Sequence, residues 1–154
     1  MPEVLHLYIS PSHNFFGHHG QPPGDAPMVE MDRIECVAGR GIQDDRFFDF
    51  KKDYKGQITF FSAEVYERLL EEFGLVKEEK PPSVFRRNVI VSGVDLNTLI
   101  GQQFEIDGVL FKGAAECSPC HWMNEAVCPG AEHWLKGNGG LRAQILTSGT
   151  LAVR

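Results

Sequence analysis

The chain has no apolar stretch near the roughly 20 residues that a membrane-spanning helix requires, so a helical membrane span is excluded. Met1-Pro2-Glu3-Val4 lacks both a basic start and a following apolar core, so no secretory signal is expected. An excess of positive charge is also missing. Lys and Arg number 15 against 21 Asp and Glu, a net charge of −6, which makes nucleic acid a poor partner. Cysteine is scarce: four in a chain without a secretory signal read as reduced thiols in the cytoplasm, not as a disulfide framework. Internal repeats, low-complexity stretches and an interdomain linker are absent as well.

What is present suits one soluble globular domain over residues 1–154, long enough to bury a core. Residues 1–27 read as an N-terminal strand and a His-rich loop, and 28–154 as the body of the fold. The pattern is mostly short strands. Val4 to Ile9 alternates, Met28 to Val37 reads as a second strand, and Gln57 to Phe61 and Arg87 to Ser92 as two more. Gln103 to Ile106 and Val109 to Gly113 flank Asp107-Gly108, a strong hairpin signal because both turn positions need positive φ. Arg142 to Thr147 and Thr150 to Val153 read as a closing strand pair around Ser148-Gly149, after a flexible loop Gly137-Asn138-Gly139-Gly140.

One helix is clear. Ser62 is its N-cap and Gly74 its stop, with Val65, Tyr66, Leu69, Leu70 and Phe73 on one apolar stripe. Asp95 caps a single turn through Leu99, and Ala131 to Lys136 forms another short helix. The fold class is mainly β with peripheral helices (α+β). Many short strands argue for a closed or nearly closed β-barrel, which leaves no unpaired edges.

Cys117-Ser118-Pro119-Cys120 is the most informative stretch. Two thiols three positions apart suit a redox dithiol, half of a zinc site, a soft sulfur ligand for a metal cofactor, or two idle core cysteines. A thioredoxin-type dithiol works where a strand feeds a helix N-terminus, and Pro129 ends any helix after His121 early. Zinc needs four ligands, and Cys117, Cys120, Cys128 with His133 or His121 supply a C-x2-C-x7-C-x4-H spacing. Three sets of arginine, Asp45-Arg46, Arg86-Arg87-Asn88 and Arg142, stand at strand ends beside loops. Those are places to hold a phosphate-bearing ligand, because guanidinium offers bidentate geometry to phosphate oxygens. His13, His18 and His19 lie in a long loop with Phe15 and Phe16. They read as a packed structural loop, a substrate-gating rim, or metal ligands.

Five motifs in order, Arg87 through Asn97, Leu99-Ile100-Gly101, Phe104 through Gly108, Cys117 through Cys120, and Gly139 through Leu146 with Gly149, resemble the MOSC domain, and the upstream Gly39 through Phe47 and Gln57-Ile58-Thr59-Phe60 are similar to it as well. The resemblance covers roughly residues 30 to 152. It implies a β-barrel with peripheral helices and binding of a molybdopterin-type molybdenum cofactor, or carriage of sulfur destined for it. The functional thiol of the family maps to Cys120, as a molybdenum ligand or a persulfide carrier, with Cys117 as its supporting or resolving neighbour. Arg46, Arg86, Arg87, Asn88 and Arg142 fall where the pterin phosphate is expected. The family usually carries Gly where Asp44 stands, and a left-handed backbone suits Asp less well. An enzyme reading makes the protein a molybdenum-dependent oxidoreductase acting on a small molecule such as an N-hydroxylated compound. A pyridoxal-phosphate-dependent desulfurase or an electron donor would then be a separate protein.

Overall fold

The computed structural model describes residues 2–11, 28–119 and 121–154. Among the described residues ten strands form two sheets. They are β1 (Glu3–Ile9), β2 (Val29–Met31), β3 (Arg33–Val37), β4 (Gly41–Ile42), β5 (Ile58–Ser62), β6 (Val89–Ser92), β7 (Gln103–Ile106), β8 (Val109–Glu116), β9 (Leu141–Ile145) and β10 (Gly149–Ala152). The larger sheet has the order β2-β1-β6-β5-β9-β8-β7, and the smaller one β10-β3-β4. Among these described strands only β5 and β6 pair in parallel. Such a pair needs a long connection, and it holds α1 (Ala63–Phe73) and a 3-10 turn, Pro82–Phe85.

Period-two alternation sorts the side chains into two cores. Neighbouring Phe60 and Phe61 on β5 are both fully buried but enter different clusters. Phe60 joins Leu7, Val89, Phe111 and Leu141 of the large sheet and Ile34, Ile42 and Leu151 of the small one. Phe61 joins Tyr8 and Ile90, Leu69 of α1, Met123 of α2 (Trp122–Ala126) and Leu135 of α3 (Ala131–Leu135). The molecule is therefore three layers: small sheet, large sheet, helices. A register shift between Val4 and His6 puts Val4 and Leu7, three apart, in the same core.

The expected closed barrel does not form among the described residues. The large sheet is open, ending on β2 and β7. Two departures from the expected strands explain this. Asp32 divides the stretch read as one strand over 28–37, so that β2 pairs with β1 while β3 pairs with β10 in the other sheet. The expected closing pair also separates: β9 lies between β5 and β8, and β10 crosses to β3. Chain that would have closed a barrel builds a second layer. Backbone bonds from Gly39 N to Ile145 O (2.9 Å) and Arg154 N to Val4 O (3.0 Å) join the layers. Brevity guards the open edges, since β2 has three residues and β7 four.

The local turn chemistry follows the sequence. Asp107 (φ 52°) and Gly108 (φ 81°) make the hairpin turn between β7 and β8. Asp44 is left-handed (φ 69°). The Ser62 hydroxyl caps α1 by accepting from Val65 N, and Gly74 ends it at φ 64°. Ser62→Ala removes that cap and is expected to cost about 1 kcal/mol, read as a lower urea midpoint at unchanged slope.

Candidate functional site

The site grows from a close crossing of two backbones. Cys117 N donates to Gly140 O (2.8 Å), and Gly139 N donates to the Glu116 carboxylate (3.1 Å). A Cβ on Gly139 would lie 2.2 Å from Cys117 O and 2.7 Å from Pro119 Cδ. A Cβ on Gly140, at φ 110°, would lie 2.4 Å from Phe60 O. Only glycine lets residues 117–119 pass this close. The last two residues of the stretch read as a flexible loop are thus buried and pinned.

Arg87 lies across this crossing, only 8% exposed. Its Nε donates to Gly139 O (3.0 Å), Nη2 to Gly139 O (2.9 Å) and Cys117 O (3.3 Å), and Nη1 to Phe85 O (2.8 Å). Asn88 is equally engaged. Its Oδ1 accepts from Thr59 N (3.0 Å) and Thr59 Oγ1 (3.1 Å), and its Nδ2 donates to Tyr8 O (3.2 Å). These bonds tie together β1, β5 and the start of β6.

Arg46 and Arg86 are held differently. Arg46 N donates to Ser10 O (2.7 Å), and the Arg86 guanidinium donates to Ser10 Oγ (3.3 Å). Buried Asp45 spends one carboxylate oxygen on Ser10 N (2.9 Å) and the other on Phe47 N (3.2 Å). The Arg46 guanidinium lies over the Phe47 ring at 4.8 Å, and its buried Nε has no hydrogen-bond partner among the described residues. Arg86 adopts a left-handed backbone (φ 58°), a strained conformation for a long side chain. Burial pushes the Arg46 guanidinium below its usual range; Asp45, Tyr54 and Cys117 oppose this, and Arg87 reinforces it. Burial, then the charge of Arg46, pushes Arg86 down to about 10, against the pull of Asp45. Arg142 stacks on Tyr54 at 5.5 Å. Half-buried guanidiniums thus share one carboxylate, already committed to backbone amides. Guanidinium is a natural partner for an oxyanion, whose charge would offset the repulsion among them.

The structure brings Arg46, Arg86, Arg87 and Cys117 into one electrostatic neighbourhood, and Arg142 reaches it through Tyr54. Ser10, Tyr54 and the role of Asp45 are not among the site residues expected from the sequence. Asp45 beside Arg46 was a visible signal, whereas Ser10, 35 residues away from Asp45, gave none. Cys120, His13, His18 and His19 lie outside the described residues. Among the described residues no three of His, Cys, Asp and Glu converge to hold a metal ion. Cys36 is buried in the first core, and burial, then Glu35, pushes its thiol up to about 12. Burial also raises Cys128, against the pull of Lys80. Both are therefore poor nucleophiles at neutral pH.

A cleft of about 440 Å³ opens at the carboxyl ends of β5 and β6. Glu64, Arg68, Asp95, Asn97, Asn138 and Gly140 line it, so the glycine that receives the Cys117 amide also walls this cleft.

The sequence model of the MOSC domain matches residues 18–152. A comparison with curated proteins matches none. Among solved structures, the YuaD protein from Bacillus subtilis is similar with TM-score 0.76 and 19% identity, over 99% of this chain and 92% of that one. YiiM from Geobacillus stearothermophilus gives 0.70 and 12%, over 99% and 71%. YiiM from Escherichia coli gives 0.66 and 15%, over 99% and 66%. At these identities the likeness is one of fold. Among the described residues no helix is long and apolar enough to cross a membrane.

Proposed function

Because the chain belongs to the MOSC domain family, we propose that its arginine cluster holds the phosphate of a molybdenum–pterin cofactor beside Cys120. The protein then catalyses a redox step such as reduction of an N-hydroxylated compound. The observation that carries this reading is the half-buried guanidinium pair of Arg46 and Arg86, with one orphaned donor, beside the Cys117 segment. The donor set fits the group: guanidinium matches phosphate oxygens, and a thiolate suits molybdenum. Arg46 and Arg86 would hold the phosphate, and Cys120 would be the metal ligand. When bound, the cofactor supplies two-electron redox chemistry. The chain's own part is to hold the anion and orient the cysteine segment through Arg87 and Glu116. Electrons would come from a separate donor protein.

The variants Arg46→Gln and Arg86→Gln test this reading. Each is expected to lower retained pterin by about tenfold or more, the worth of one or two charge-assisted hydrogen bonds. Cys120→Ser is expected to lose the metal and the N-hydroxy reductase activity together. Full retention of pterin in both arginine variants would sink the reading. A one-sulfur mass gain at Cys120 without molybdenum would replace it with a persulfide carrier delivering sulfur to a molybdenum cofactor elsewhere. Stoichiometric zinc whose removal unfolds the chain would make it a zinc-stabilised structural domain.

A further inference from the structure

We infer that Arg87 is a positioning residue: it fixes the Cys117–Pro119 segment through backbone carbonyls and does not itself grip the anion. The inference rests on the reading above in taking that segment to carry the reactive thiol chemistry. Guanidinium has five N–H donors. Arg87 places donors from all three nitrogens on the carbonyls of Phe85, Cys117 and Gly139, in four contacts between 2.8 and 3.3 Å. Arg46 has an orphaned Nε, and the one side-chain partner of Arg86 among the described residues is a hydroxyl at 3.3 Å. Arg87 therefore spends four of its five donors on the scaffold, while its two neighbours keep most of theirs for an anion.

The same carbonyls explain what the clamp does. Gly139 and Cys117 belong to the two segments that cross, and Arg87 Nη2 spans both. Glu116 completes the tie from the other side by accepting Gly139 N. A planar fork reaches several carbonyls at once, whereas a lysine ammonium is a point donor on a flexible stem. Arg87→Lys therefore keeps the charge and removes the fork.

The test compares reduced wild-type protein with Arg87→Lys by iodoacetamide alkylation, read cysteine by cysteine with mass spectrometry. Cys117 is expected to react about tenfold faster in the variant, as a loosened segment opens more often. Cys36, 2% exposed in the core, is expected to keep its rate, which separates loosening of the segment from loss of the fold. Inorganic phosphate titrated by NMR is expected to bind Arg87→Lys within about threefold of wild type, and Arg46→Gln about tenfold more weakly. An unchanged Cys117 rate, a parallel rise at Cys36, or phosphate binding that falls in Arg87→Lys as far as in Arg46→Gln would each overturn the inference. If Arg87→Lys does not fold, the guanidinium Nε resonances of wild-type protein, read during the same phosphate titration, take its place: Arg46 is expected to shift and Arg87, bonded to Gly139 O, to stay, and a shift at Arg87 as large as that at Arg46 overturns the inference. If wild-type protein binds no phosphate, the cofactor reading loses its support while the alkylation rates still decide the role of Arg87.

Discussion

Gly140→Ala is expected to destabilise the protein by about 3–5 kcal/mol, enough to leave a large fraction unfolded. Two effects add. Gly140 has φ 110°, a backbone conformation that a residue with a Cβ adopts only with strain. The new Cβ would also stand 2.4 Å from Phe60 O and 3.3 Å from Arg87 Nε. Phe60 O belongs to the central strand β5, whose side chain at that position is fully buried, so it has no room to retreat. Urea unfolding measures the loss. A midpoint equal to wild type would show that β5 shifts freely, and the tight crossing described above would be wrong.

Asn88→Ala is expected to cost about 3–4 kcal/mol, although the residue was expected from sequence to bind a ligand phosphate. Its amide accepts from the backbone and the hydroxyl of Thr59 and donates to Tyr8 O. Truncation strands those groups in a part of the molecule where Asn88 is itself only 5% exposed. Each unsatisfied partner costs about 1–3 kcal/mol, which outweighs any gain in chain freedom. Chemical denaturation read with and without phosphate separates the two roles. A structural Asn88 gives the same loss in both conditions. A variant as stable as wild type that has lost phosphate binding would return the residue to the ligand.

Sequence carried the local structure well because local chemistry decided it. Ser62 and Gly74 bound α1, and Asp107-Gly108 turns the hairpin, where the capping and turn residues act within a few positions of themselves. The sheet architecture escaped because it depends on partners far apart in the chain. Nothing near Asp32 announces that residues on its two sides join different sheets, and nothing near Ser148 announces that β9 and β10 part company. Open sheets in two layers and a closed barrel use the same alternating pattern, so the pattern alone does not choose between them. The arginines were legible as charges at strand ends. Their division of labour was not, because it depends on which backbone carbonyls each side chain reaches: Arg87 meets Cys117 from 30 positions away.

The most direct test of the account is the metal, pterin and sulfur content of the protein purified from a host that makes the molybdenum cofactor. The account predicts about one molybdenum and one pterin per chain, both lost in Cys120→Ser, as expected when a thiolate and an anion cradle hold one group together. Protein that carries no molybdenum under those conditions, whether it holds zinc, an extra sulfur on Cys120 or neither, would contradict it.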